Sequence, residues 1–163
     1  MNIKSLEYPL TRRYPKDWQF LCYRNPKKGP YWMFDKQGQI VGRMAASKEF
    51  INHNDVYNPD KIDYYSLYIQ RLYVPKEHRG KGIGTAFLNI AKADSYRRGC
   101  HGNVHLIAES FEQGAKPPQK LYRRAGFDSQ KKGHIEIIDK AIAEGTPLPP
   151  GKWSTPMYFA GKD

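Results

Sequence analysis

Arg71-Leu72-Tyr73-Val74-Pro75-Lys76-Glu77-His78-Arg79-Gly80-Lys81-Gly82-Ile83-Gly84-Thr85 is the stretch that decides the fold. On its N-terminal side, residues 65–74 are rich in aromatic and β-branched side chains and stop at Pro75, as a strand does. On its C-terminal side Ile83, Ala86, Phe87, Ile90 and Ala91 fall at i, i+3, i+4, i+7 and i+8, a helical period, and Gly99 stands where a left-handed cap would close the helix. Between the two, Gly80, Gly82 and Gly84 allow the backbone to approach a ligand closely and to turn unpaired N–H groups outward. Those groups and the positive end of the helix dipole make an anion site, to which Arg79 and Lys81 add charge. A plain turn that needs glycine for its backbone angles also accounts for the glycines taken alone. A nucleotide-hydrolysing P-loop does not fit, because Gly82 follows Lys81 where a Mg²⁺-binding hydroxyl is required. A dinucleotide fingerprint fits poorly, since the third glycine is one residue early and several residues separate Val74 from Gly80.

Working outward, residues 31–34 and 39–45 read as a hairpin about the Asp35-Lys36-Gln37-Gly38 turn. Residues 15–24 carry Trp18, Leu21 and Cys22 at i, i+3 and i+4 behind a proline, which predicts a short helix. Residues 104–108 predict a buried strand, and 117–125 a two-turn helix closed by Gly126. Residues 134–138 and 157–160 predict two further strands. Strands and helices in this order imply an α+β fold, a mixed sheet with helices packed on it. The 163 residues are 39% hydrophobic, enough for one domain over 1–163 and little room for two.

Apolar runs are far shorter than the ~20 residues of a membrane span. Residues 1–7 lack the apolar stretch of a signal peptide, so the expectation is a cytoplasmic protein. Cys22 and Cys100 are too few for a disulfide framework and lack zinc spacing; both are expected to be reduced and packed, and no metal site is expected. The 27 Lys and Arg against 16 Asp and Glu give a formal net charge of +11, which fits an anionic partner without saying which kind.

The segment from Arg79 to Gly84, Arg79-Gly80-Lys81-Gly82-Ile83-Gly84, following Arg71-Leu72-Tyr73-Val74-Pro75, resembles the phosphate loop of the GNAT superfamily of acyl-CoA-dependent N-acetyltransferases. A second block, Leu121-Tyr122-Arg123-Arg124-Ala125-Gly126-Phe127, matches the family's Leu-Tyr-x-x-x-Gly-Phe. The likeness covers 65–127 and fades outside it. It implies a central mixed sheet of about six to seven strands, splayed at the cofactor site and flanked by helices. It further implies that acetyl-CoA is the cofactor, that the backbone of Leu72 and Val74 pairs with the pantetheine arm, and that amides from Gly80 to Thr85 hold the pyrophosphate. Tyr122 would stand near the sulfur as the proton donor to the departing thiolate; its alternative role is a packed helix aromatic. The sequence departs from the family at Ala115 and Pro118, where many members have Asn and Ala for a pantetheine contact.

An amine must attack the thioester uncharged, and neutralising an ammonium of pKa about 10.4 at pH 7 costs roughly 4.6 kcal/mol. A base is therefore expected, and Glu109, at the end of the strand over 104–108, is the first candidate. The backbone near Leu72 would stabilise the oxyanion. His78 is expected to be solvated, His105 packed in its strand without a partner, and His134 at a strand start; Cys100 has no histidine suited to activate it. By the resemblance, residues 15–24, 51–63 and 139–155 shape the acceptor site, and Tyr57, Tyr64, Tyr65 and Trp153 are candidate lining residues. The expected partners are acetyl-CoA and a primary amine, with the chain a monomer or homodimer and no membrane association. Two alternatives use the scattered basic pairs such as Arg97-Arg98 and Lys131-Lys132: transfer to an aminoacyl-tRNA, as by the family's toxins, or non-catalytic nucleic-acid binding.

Overall fold

The computed structural model describes residues 9–10, 21–24, 30–55, 57–109 and 118–162. Its elements, in chain order, are β1 (Pro9–Leu10), β2 (Leu21–Arg24), β3 (Tyr31–Phe34), β4 (Ile40–Ile51), β5 (Tyr64–Tyr73), a 3-10 turn (Lys76–His78), α1 (Ile83–Arg97), β6 (Val104–Glu109), α2 (Gln119–Arg124), α3 (Lys132–Glu144) and β7 (Ser154–Phe159). Strands adjacent in sequence are hydrogen-bonded neighbours, in the order β1 to β7. The pairs from β1 to β4 and the β6–β7 pair are antiparallel. β5 reaches β6 through α1, the crossover that parallel neighbours require, so the sheet is mixed and the α+β reading holds. No helix among the described residues is long and apolar enough to cross a membrane.

The chain divides into two compact units, Met1–Ser47 with Ile69–Ala91, and Lys48–Tyr68 with Lys92–Asp163. In the first, the expected hairpin joins β3 to β4. Asp35 Oδ1 accepts from the N–H groups of Gln37 and Gln39, both at 2.9 Å, and Gly38 takes φ +80, which a side chain disfavours. Tyr31, Met33, Phe34, Val41 and Met44 of these strands are buried, and Ile83 and Phe87 of α1 are buried in the same unit. Gly42 explains how the helix comes so near: a Cβ there would lie 2.6 Å from Phe87 Cε2 and 3.0 Å from Ile83 Cγ2. The expected helix over 15–24 is corrected in its last part, since residues 21–24 pair with β3 as strand β2; residues 15–20 lie outside the described residues. Backbone pairing of residues 21–24 with β3 wins over a helical spacing of only three apolar positions.

In the second unit β6 and β7 pair from Val104↔Phe159 to Glu109↔Ser154. The strand expected over 134–138 is helix instead, part of α3. Ile135, Ile138 and Ala141 are buried at intervals of three, Ile137 is 38% exposed, and Gly145 closes the helix at φ +66 with the Thr146 N–H donating to the Ala141 carbonyl. Three isoleucines within five residues fit either period, and the longer window through Gly145 decides it. Arg123 forks onto Asp139, Nε to Oδ1 at 2.8 Å and an Nη to Oδ2 at 3.1 Å, joining α2 to α3.

Gly42→Val forces a side chain against the buried Phe87 ring, an overpacking that costs about 1–3 kcal/mol. Urea denaturation is expected to show that loss, and an unchanged midpoint would mean that α1 does not rest on Gly42.

Candidate active site

The first unit contains the glycine loop. β5 ends at Tyr73, and the Val74 carbonyl just beyond it accepts a hydrogen bond from Arg79 Nε at 2.9 Å, which ties the start of the loop to the end of the strand. The 3-10 turn follows, with the His78 N–H on the Pro75 carbonyl and the Arg79 N–H on the Lys76 carbonyl. Gly80 and Gly82 then take φ +79 and +83. A Cβ at either would meet nothing within 4 Å, so glycine is demanded by the backbone angle and the space beside it stays open.

The first α1 bond runs from the Ala86 N–H to the Gly82 carbonyl at 3.0 Å. Among the described residues, the N–H groups of residues 80–85 donate to no backbone carbonyl. Ile83 is buried and anchors this first turn, while Gly80, Lys81, Gly82 and Thr85 are exposed. No acidic residue occupies the first turn, so the positive pole is unneutralised by a side chain of that turn, and Lys81 Nζ lies 3.4 Å from His78 Nδ1 at the surface. This is an anion cradle made of amides. Leu72 and Val74, half-buried, lie immediately before it.

The second unit contains the other candidates. Tyr122, in α2, is 8% exposed, its ring 5.9 Å from that of Phe127, and burial pushes its phenol up to about 12. Its hydroxyl has no hydrogen-bond partner among the described residues, yet it is not a fully enclosed orphan as Gln119 Oε1 is. The phenol is thus protonated at neutral pH. Glu109 closes β6 and is half-buried; its Oε1 accepts from Ser154 Oγ at 3.1 Å, and among the described residues Oε2 accepts no hydrogen bond. Nearby, Gln119 Nε2 donates to the Ala108 carbonyl at 3.0 Å, and His134, in the first turn of α3, has Nδ1 2.8 Å from Thr155 Oγ1. Trp153 packs edge-on to His134 and donates to the Pro149 carbonyl. Cys22 and Cys100 are both free and buried, and burial pushes the Cys100 thiol up.

His105 corrects the expectation of a partnerless packed residue. It is 1% exposed, Nδ1 is 2.7 Å from Ser66 Oγ, and Nε2 is 3.5 Å from Glu49 Oε2. Its ring stacks on Tyr68 at 4.9 Å and 14° and meets Tyr57 at 4.5 Å. An ionised carboxylate only accepts, which favours the tautomer with hydrogen on Nε2 and makes Ser66 the donor to Nδ1. Burial lowers the pKa of His105 to about 4, so the ring is neutral at pH 7. No sequence spacing signals this cluster, because its members come from three strands.

A family model described as acetyltransferase (GNAT) domain matches residues 27–129. No curated protein matches the chain. Among solved structures, Arabidopsis thaliana NAA60 in complex with acetyl-CoA is similar with a TM-score of 0.53 at 19% identity, over 80% of this chain and 74% of that one. A bacterial toxin is similar with a TM-score of 0.50 at 14% identity, over 85% of this chain and 67% of that one. At such identities the likeness to these structures is one of fold.

Because the folded pKa of His105 lies below the unfolded value of 6.5, the unfolded chain takes up the additional proton between pH 6.5 and about 4, and stability falls as pH drops through that window. Between pH 7 and pH 5 this contributes a loss of about 2 kcal/mol. Urea denaturation at the two values is expected to show a smaller acid loss in His105→Gln than in the parent; equal losses would remove His105 as the source.

Proposed function

The chain belongs to the GNAT acetyltransferase family, and from that premise we propose that residues 1–163 are a single N-acetyltransferase domain moving an acetyl group from acetyl-CoA to a primary amine. The observation that carries this reading is the run of undonated amides over residues 80–85 at the start of α1. Diphosphate oxygens are suited to such a cradle, where each charge-assisted bond is worth about 1.5–3 kcal/mol. Arg79, held by the Val74 carbonyl, and Lys81 supply countercharge. The backbone of Leu72 and Val74 pairs with the pantetheine arm in this reading, and the amide near Leu72 receives the developing oxyanion.

The neutral amine nitrogen attacks the thioester carbon directly, giving a tetrahedral intermediate. Its collapse breaks the carbon–sulfur bond and releases CoA as the thiolate, while the nitrogen gives up its proton. Glu109 is the proposed base, taking the ammonium proton through a water before attack, with Oε1 pinned by Ser154; the proton lost from nitrogen on collapse passes to solvent, from which the thiolate takes one up. Tyr122 donates a hydrogen bond to the departing sulfur. The absent contact at Ala115 and Pro118 leaves the arm to depend on the strand backbone.

Tyr122→Phe is expected to lower kcat about 10²-fold with acetyl-CoA affinity nearly intact, read by release of CoA thiol and by calorimetry; an unchanged rate would leave Tyr122 a packing residue. Gly82→Val is expected to abolish acetyl-CoA binding, because a β-branched side chain cannot hold φ +83 and would stand in the cradle. Retained binding would overturn the cradle, and with it the proposed function.

A further inference from the structure

Lys92 lies in the C-terminal half of α1, half-buried within the second compact unit, and the proposed transfer step makes no use of it. Its ammonium donates to the carbonyl of Ala125, the residue that caps the C-terminal end of α2. It also lies 4.0 Å from the centre of the Phe159 ring and 5.8 Å from that of Phe127. Among the described residues it pairs with no carboxylate. Burial lowers its pKa, as expected of an ammonium with no opposite charge to offset the loss of water. Such a cation is a poor stabiliser in itself; what holds it is the negative end of a helix and two ring faces.

The helix it caps has few other supports. α2 has six residues, too few to persist by its own hydrogen bonds, and its N-cap, Pro118, makes no side-chain bond. Arg123 ties it to Asp139. At the C-terminal end the N–H groups of Ala125, Gly126 and Phe127 turn back to the carbonyls of Leu121, Arg123 and Tyr122. The Phe127 ring lies 5.9 Å from those of both Tyr122 and Phe159. Lys92 thus holds the turn against whose aromatic ring Tyr122 packs. The Tyr122 hydroxyl has no hydrogen-bond partner among the described residues, so its helix and this ring contact set the position of the phenol. A misplacement of about 1 Å at a reacting group can cost about 10²-fold in rate.

We infer that Lys92 is a positioning residue for acetyl transfer: by holding the Ala125 carbonyl it fixes the C-terminal turn of α2 and, through that turn, the Tyr122 phenol. This rests on the proposed role of Tyr122 at the departing sulfur, and adds the group that fixes the tyrosine.

Lys92→Met keeps an unbranched side chain and removes the donor and the charge. Hydrogen exchange of the full chain, followed by NMR, is expected to quicken about tenfold or more at the Ala125 and Phe127 amides of this variant. Its kcat is expected to fall about tenfold with acetyl-CoA affinity unchanged, and Lys92→Arg, which retains a donor, is expected to recover most of both losses. In the Tyr122→Phe background Lys92→Met is expected to change kcat by less than about twofold, because the phenol through which it acts is gone. Should Lys92→Met fail to fold by circular dichroism, Lys92→Gln, shorter and uncharged, takes its place in both measurements. Amides that exchange as in the parent would overturn the inference. So would a kcat that falls by the same factor with and without the phenol, since a lysine that only supports the fold slows both backgrounds alike. If Tyr122→Phe turned over as fast as the parent, the role of Tyr122 would fall and with it the part of Lys92 in transfer, while amide exchange would still decide whether Lys92 holds α2.

Discussion

The N–H groups that open an α-helix have no partner within it, and those of residues 80–85 find no backbone acceptor among the described residues. Everything proposed for the donor substrate depends on that constraint. It persists because the surrounding geometry permits no local remedy. Gly80 and Gly82 hold left-handed angles, the first turn has no acidic side chain to fold back, and buried Ile83 prevents the turn from moving to find other partners. Gly42 is a remote contributor: by leaving room for Ile83 and Phe87 it lets the helix sit where its first turn is fixed. A cradle of backbone amides has little side-chain entropy to lose on binding, which is why a rigid glycine loop suits a diphosphate better than a set of lysines would.

The donor substrate of acetyl transfer carries phosphates, and the loop before α1 is positive by its dipole, Arg79 and Lys81. In the second unit the charge of His105 matters to Glu49. Protonated, it would place a cation 3.5 Å from Glu49; buried between Tyr68 and Tyr57 it stays uncharged at neutral pH, so the charge of Glu49 is not offset by the ring.

The parts legible in the sequence are those whose signal is local. Gly80, Gly82 and Gly99 each sit at positive φ, and the period of Ile83, Phe87 and Ile90 marks α1 because one contiguous segment contains the whole pattern. Tyr122 and Gly126 are legible in the same way, as one short block. Residues 134–138 mislead because the signal for helix lies beyond them, at Ala141 and Gly145. Residues 21–24 mislead because their pairing partner is β3. The His105 cluster is invisible for a stronger reason: Glu49, Ser66 and His105 belong to β4, β5 and β6, and only sheet register brings them together.

The elevated phenol of Tyr122 also decides where the proton chemistry must be done. Handing a proton from a phenol at about 12 to a thiolate whose acid has a pKa near 8.5 is uphill by roughly 4.8 kcal/mol, so in the proposed mechanism Tyr122 acts by hydrogen bonding and retains its proton. The thiolate is stable enough to leave on those terms, since at pH 7 its protonation by solvent is downhill and need not precede bond cleavage. The ammonium enjoys no such relief. Its roughly 4.6 kcal/mol deprotonation cost must be met before attack, and in the proposed mechanism that burden falls on a carboxylate, for which Glu109 is the proposed group.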